Sequence, residues 1–221
     1  CSVPQMKERL KKEYDGYHFS DVLTDIYNPF SILNVFDSNR INDYWFKTGT
    51  PTYLIRLLNH TQENLNELTG KYYDPSEFID YKADVEMPLP MIYQSGYLTI
   101  KDYNMDMNTY LLDFPNNEVK KGFVTMVAND YLKSKNLAGG WARDLVAALK
   151  SADLERFRKL LTSFLADIPY TMRRKETERE RERYFHYTFY LLMRMVSCYT
   201  VYTEKQQSEG RVDCIIETPN Y

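Results

Sequence analysis

Apolar residues recur every three or four positions along much of the chain, which predicts a protein built mainly of helices. Residues 4–14 place Met6, Leu10 and Tyr14 on one face of a short amphipathic helix. A second helix is expected to begin at Asn28 or Pro29, because Asn caps helices and Pro fits their first position. Residues 1–73 are therefore predicted to form a helical region.

The pattern changes in residues 74–135. A helix ending at Gly96 passes into an apolar segment, and a polar tip then separates this segment from a second one at 109–114. Another helix is expected to begin near Asn116. A helix followed by a hairpin with a long tip is typical of a winged helix, so this region is predicted to be a winged-helix-like unit.

The predicted hairpin tip leaves two interpretations open. It carries Asp102 and Asp106, and Lys101 is the one base beside them. Contacts with DNA phosphates require Lys or Arg side chains, so structural or protein contact and DNA contact are both retained as alternatives.

Residues 136–180 are predicted to form a helical connector of two apolar-faced helices, the second capped by Ser151 or Asp153. Three bases at 173–175 precede an alternating Glu/Arg run. One interpretation is that this run is the solvated start of the next helix. The other is that the three bases form a nucleic-acid patch, whose positive field the acids of the run largely cancel.

The last segment, 181–221, is predicted to be an aromatic helix followed by two strands joined at Gly210. Asp213 lies on the second strand between apolar neighbours, and a carboxylate there needs a metal, a partner or solvent. A strand-edge position paired with Arg211 or Lys205 is the alternative to metal binding. The fold class is accordingly mostly helical α+β.

Composition narrows the function only slightly. The formal charge of −3 provides no bulk attraction to nucleic acid. Three cysteines without a paired motif indicate a reducing compartment, so a soluble, cytoplasmic protein is expected. The longest apolar run, residues 184–193, is about half of the roughly 20 residues that a membrane helix needs.

Three aromatic motifs, at 14–19 (Tyr-Asp-Gly-Tyr-His-Phe), 27–31 (Tyr-Asn-Pro-Phe-Ser) and 44–51 (Tyr-Trp-Phe-Lys-Thr-Gly-Thr-Pro), occur in series. In this order and spacing they resemble the C-terminal part of AAA-ATPase-like proteins in which a P-loop ATPase is fused to a PD-(D/E)XK nuclease-like domain. The resemblance covers nearly the whole chain. It implies that residues 1–73 are a lid-like part of the ATPase region and that 181–221 begin the nuclease-like domain.

The resemblance also implies a metal site. Glu182 matches the helix acid and Asp213 the strand acid that bind Mg²⁺ in such nucleases, with His186 one turn from Glu182 as a possible supporting residue. The alternatives are a surface Glu182 and a hydrogen-bonded core His186. No Glu-x-Lys strand follows Asp213 and no Gly-x-x-x-x-Gly-Lys-[Ser/Thr] loop occurs, so the catalytic set is incomplete and the ATP site is expected outside this chain.

Two functions follow as hypotheses. In the first, the chain is an inactive fragment of a Mg²⁺-dependent nuclease-like protein that acts on DNA and is coupled to an ATPase. In the second, it is an assembly or regulatory module with a degenerate nuclease core. The open sheet edge at 211–217 further predicts a homodimer.

Overall fold

The computed structural model describes residues 2–47, 52–61, 63–79, 87–132, 140–167, 177–196, 200–207 and 210–217. It is mostly helical with small antiparallel sheets, as predicted. Two compact units divide the chain, Cys1–Phe123 and Val124–Tyr221. The four-part division made from the sequence stays a prediction.

The first unit contains short helices around a three-stranded sheet. Its elements are α1 (Val3–Tyr14), α2 (Pro29–Ser38), a 3₁₀ turn (Trp45–Lys47), α3 (Thr52–Thr61), α4 (Leu65–Leu68), β1 (Lys71–Tyr73), α5 (Pro75–Phe78), α6 (Pro88–Gln94), β2 (Thr99–Asn104) and β3 (Thr109–Asp113). The next helix, α7 (Asn117–Leu132), begins in this unit and ends in the second. From the sequence, Thr50 is predicted to cap α3 with Pro51 at its first position, and both residues lie outside the described ones.

Local capping explains where several of these helices begin. The Asn28 side chain accepts hydrogen bonds from the backbone N–H groups of Phe30 and Ser31, at 3.0 and 3.2 Å. Asn116 does the same for Val119 at the start of α7, at 3.1 Å. Each amide oxygen satisfies N–H groups that have no partner within the helix. The predicted starts near Asn28 and Asn116 are thus confirmed.

The sheet has the strand order β1-β3-β2 with antiparallel pairing throughout. Helix α6, the β2–β3 hairpin and α7 follow the predicted order. Strand β1 was not predicted, because three residues are too few to show an alternating pattern. A register shift between Ile100 and Asp102 marks a bulge in β2.

Gly16 forms a tight turn between α1 and the following segment. Its φ of +91° is a conformation that side chains disfavour, and an added Cβ would lie 2.6 Å from the Pro115 carbonyl oxygen. The Lys101 ammonium group donates to the carbonyl oxygens of Gly16 and Pro115, at 2.9 and 2.8 Å. The turn is therefore held against the segment before α7.

In the second unit, α8 (Gly140–Lys150) and α9 (Leu154–Asp167) form a helical hairpin, followed by α10 (Glu178–Val196), β4 (Thr200–Gln207) and β5 (Gly210–Glu217). The Trp141 indole donates to the Leu160 carbonyl oxygen at 3.1 Å, and its ring lies 4.8 Å from that of Phe164. Asp153 caps α9 by accepting from the Arg156 N–H at 3.0 Å. Of the two expected caps, Asp153 is the one that forms.

Candidate functional site

The candidate site comprises the start of α10 and the β4–β5 hairpin. Thr177 and Glu180 form a reciprocal cap: the Thr177 N–H donates to the Glu180 carboxylate at 3.1 Å, and the Glu180 N–H donates to the Thr177 hydroxyl at 3.2 Å. This cap begins the helix within the charged run. It also satisfies a backbone N–H group at the helix start that has no partner within the helix.

One face of α10 is an aromatic and aliphatic core. Tyr184, Tyr187 and Tyr190 are buried, together with the aliphatic residues that follow them. The Tyr131 ring stacks on Tyr184 with centroids 5.6 Å apart and meets the edge of Tyr187 at 4.8 Å. Burial raises the pKa of the Tyr131 phenol. This packing anchors the helix and leaves its charged start outside the core.

Glu182 and His186 lie one turn apart on α10, so they share a helical face. The Glu182 side chain is exposed, whereas His186 is half-buried. Glu182 is thus a surface residue, the environment that the alternative interpretation predicted for it. A solvated metal ion can also reach an exposed carboxylate. The exposure of Glu182 is therefore compatible with a surface role and with metal binding.

Asp213 lies near the middle of β5. The antiparallel pairs Thr203 with Cys214 and Lys205 with Val212 leave Glu204 opposite Asp213. Two acids facing each other across strands repel unless a cation or solvent separates them. The backbone pairing places these two residues opposite each other. For the hairpin the structure describes the backbone and not the side chains.

Helix α10 packs against both β4 and β5. The elements carrying Glu182 and Asp213 are therefore neighbours within one unit. In the part of the chain that the structure describes, no three His, Cys, Asp or Glu side chains cluster as a metal site would need. Two carboxylates suit Mg²⁺ chemically, because this ion takes oxygen ligands and keeps several waters.

Two polar networks in the first unit were not identified from the sequence. Buried Glu118 accepts hydrogen bonds from the Ser31 hydroxyl at 2.7 Å and from the N–H groups of Tyr44 and Trp45 at 2.6 and 2.9 Å. Burial raises the pKa of Glu118, and these hydrogen bonds oppose that rise. Its partners come from distant segments, so Glu118 connects the loop before the 3₁₀ turn to α2 and α7.

His18 is the centre of the second network. Its Nδ1 donates to the Ile100 carbonyl oxygen at 2.7 Å, and its Nε2 lies 2.8 Å from the Asp25 carboxylate. The Lys11 ammonium group, 2.6 Å from Asp25, holds the pKa of that carboxyl below its ordinary value, with a smaller effect of His18 in the same direction. The aromatic motif containing His18 therefore serves to connect α1, its following loop and β2.

The comparisons with known proteins agree with the location of the candidate site. Residues 180–221, which contain Glu182, most of α10 and the β4–β5 hairpin, match the model of the PD-(D/E)XK nuclease superfamily. The resemblance expected for this part of the chain is confirmed at that level.

A protein from Azotobacter chroococcum mcd 1, described as an uncharacterized protein in the vnfD 5′ region, is 26% identical over 212 residues. The match covers 95% of this chain and 40% of that relative's length. This chain thus spans well under half of the relative it matches. No solved structure matches the chain.

No helix among the described residues is long and apolar enough to cross a membrane.

Proposed function

We propose that this chain is part of a Mg²⁺-dependent nuclease-like protein that acts on DNA, with residues 180–221 forming the first helix and hairpin of the nuclease core. The match of these residues to the nuclease superfamily is the observation that carries the proposal. In this proposal the nuclease is coupled to a P-loop ATPase whose nucleotide site lies outside the chain. The chain by itself does not cleave DNA, because it has only part of a catalytic set.

Glu182 and Asp213 are the proposed Mg²⁺ ligands. Both are carboxylates on neighbouring elements, and Mg²⁺ in proteins is commonly bound by one or two carboxylates with water filling the other positions. When bound, the ion supplies an activated water and neutralises charge on the phosphate. The exposed start of α10 leaves Glu182 open to solvent and substrate. His186, one turn away, is proposed to support the carboxylate's position.

The β2–β3 hairpin of the first unit is proposed to contact another protein. Its tip exposes Met105 and Met107, whose side chains are 80% and 74% accessible, beside Asp106. The Tyr103 hydroxyl donates to Asn108 at 3.0 Å, and the Tyr103 and Tyr110 rings lie 4.6 Å apart, which stiffens the strands behind the tip. An apolar and acidic tip suits a protein surface better than a phosphate backbone.

This tip supports the second candidate function, an assembly or regulatory module with a degenerate nuclease core. The two candidates differ in one measurable respect: the first requires a metal bound at Asp213, and the second does not. In both, the two-stranded β4–β5 sheet is proposed to pair with a second copy through 211–217, since each described strand of this sheet has one neighbour. A monomer in sedimentation at high concentration would contradict that pairing.

The test is cleavage of supercoiled DNA by the full-length protein with Mg²⁺. We expect Asp213→Ala to reduce the cleavage rate by about 100-fold or more, because a metal ion supplies several kcal/mol of charge stabilisation. Asp106→Ala, which removes an exposed acid from the hairpin tip, is the matched control and should keep the wild-type rate.

Retained cleavage in the Asp213→Ala protein would refute the site assignment. A wild-type full-length protein without cleavage under Mg²⁺ or Mn²⁺, but with a saturable protein partner, would favour the interaction module. Cleavage by residues 1–221 alone would contradict the proposal that this chain is inactive by itself.

A further inference from the structure

A groove lies between α1, α2 and the segment that follows α2. Its volume is about 610 Å³, within the range of binding sites in proteins. Its lining includes the apolar side chains of Met6, Leu10 and Phe36 together with Arg9, Arg40 and Asn42. All of them belong to the first unit, so the groove shares no residue with the candidate nuclease site.

Five of the nine lining residues are apolar, and exposed apolar side chains lie one turn away on both helices. Phe36 is 65% exposed at the groove, and Leu33, one turn earlier on α2, is equally exposed. On α1, Val3 is 70% exposed one turn before Met6. Contiguous exposed apolar surface on a folded protein often marks an interaction site. The extent of this surface suits an occupant longer than a small molecule.

Two basic side chains flank these apolar residues. Arg9 projects from α1 and Arg40 follows α2, and neither has an ion pair in the part of the chain that the structure describes. Lys11 and Lys12 on the same helix do have partners: Lys11 pairs with Asp25 at 2.6 Å and Lys12 with Glu8 at 2.8 Å. Arg9 therefore places at the groove a positive charge that no described carboxylate pairs with.

The wall that carries Arg40 is held in place by α1. The Tyr14 hydroxyl donates to the Asn42 carbonyl oxygen at 2.8 Å and accepts from the Asn42 N–H at 2.9 Å. Asn39, in the left-handed conformation with φ of +54°, turns the chain out of α2. The groove is thus formed before any partner binds, which lowers the entropic cost of binding.

We propose that this groove binds an acidic amphipathic helix of a partner protein. Apolar side chains on one face of that helix would pack on Met6, Leu10 and Phe36, as helices do in other hydrophobic grooves. Acidic side chains flanking that face pair with Arg9 and Arg40, and this charge complementarity selects acidic over basic helices. The proposal adds an interaction site to the chain and does not depend on nuclease activity.

A designed peptide provides the probe. The fluorescein-labelled peptide has Leu at helical positions i, i+3, i+4 and i+7 and Glu at most other positions, and its binding to the chain is followed by fluorescence anisotropy. One control peptide replaces Glu by Lys, and a second keeps the composition but scrambles the Leu spacing. We expect both controls to bind at least about tenfold more weakly.

Matched protein variants locate the binding site. Arg9→Gln with Arg40→Gln, and separately Phe36→Ser, should each weaken binding of the acidic peptide about tenfold. Arg56→Gln is the control, because Arg56 is an exposed arginine on α3 that does not line the groove. The three altered side chains are exposed, so the melting temperatures of all variants should remain close to that of wild type, and this is measured alongside binding.

Three results would overturn the proposal. Equal affinity for the acidic and basic peptides, or unchanged binding by the double arginine variant, would show that the groove does not select acidic helices. Equally tight binding of a four-residue acidic peptide would assign the groove to a small anion. Self-association of the chain that Phe36→Ser abolishes would assign it to a second copy.

Discussion

Charged side chains occupy different environments in the two units. In Cys1–Phe123, Glu118 is buried and its three hydrogen-bond partners lie 73, 74 and 87 residues away in the sequence. In Val124–Tyr221, Glu182 is exposed on the first turns of α10, and aromatic side chains form the core beneath it. The acid in the first unit stabilises the fold, whereas the acid in the second is available for binding.

This contrast shows that an acidic residue in a sequence motif is by itself weak evidence for a catalytic or metal-binding role. A buried carboxylate that accepts several hydrogen bonds is costly to remove whatever the protein does. An exposed carboxylate contributes little to stability, so a large functional effect of its removal points to a ligand. Substitutions in the first unit should therefore mainly reduce stability, and substitution of Glu182 should mainly reduce function.

Gly16→Ala should destabilise the protein most, by about 3 kcal/mol or more, since it adds backbone strain to a steric clash. The new methyl group would lie 2.6 Å from the Pro115 carbonyl oxygen at a φ of +91°. Gly140→Ala is the control, because no atom lies within 4 Å of a Cβ at that position. Urea unfolding measures both, and equal stability of the two variants would contradict the account of the turn.

Glu118→Ala should cost about 2 kcal/mol, because it leaves the Ser31 hydroxyl and two backbone N–H groups without their acceptor. Glu118→Gln keeps the oxygen that accepts from both N–H groups, so it should cost less. The comparison uses the same urea unfolding curves. A smaller loss for alanine than for glutamine would show that the hydrogen bonds do not hold these segments together.

Titration of Glu118 should also make the unfolding free energy depend on pH, with a smaller effect than the Glu118→Ala substitution. Burial raises the folded-state pKa of Glu118 above its ordinary value of 4.5. Between these two pKa values the folded state retains a proton that the unfolded state has lost, so folding weakens as pH rises. The unfolding free energy of wild type minus that of Glu118→Gln should therefore fall as pH rises above 4.5 and then level off. A rise over this range would contradict the assigned direction.

Local signals in the sequence predicted much of this fold. The starts of α2 and α7 were identified because Asn28 and Asn116 cap through residues only two or three positions ahead. The hairpin of β2 and β3 was identified from its apolar segments and polar tip. These features depend on neighbours in the sequence, so one sequence is sufficient to predict them.

Features that depend on distant contacts were missed. Glu118 looked like an ordinary polar residue in the first turn of a helix, and only the folded chain brings the Tyr44 and Trp45 N–H groups to it. Strand β1 exists because β3 pairs with it from about 40 positions further along the chain. For the candidate site, the sequence predicted its helix and hairpin, while the metal role of Asp213 stays a prediction.

Glu182, the exposed acid of α10, is proposed to bind metal and to add little to stability. The direct test measures Mg²⁺-dependent DNA cleavage and urea unfolding for Glu182→Ala in the full-length protein, with Glu178→Ala as an exposed control on the same helix. We expect Glu182→Ala to lose cleavage while its unfolding free energy stays within about 0.5 kcal/mol of wild type, and Glu178→Ala to change neither. Full cleavage by Glu182→Ala, or a loss of stability comparable to that of Glu118→Ala, would contradict the claim.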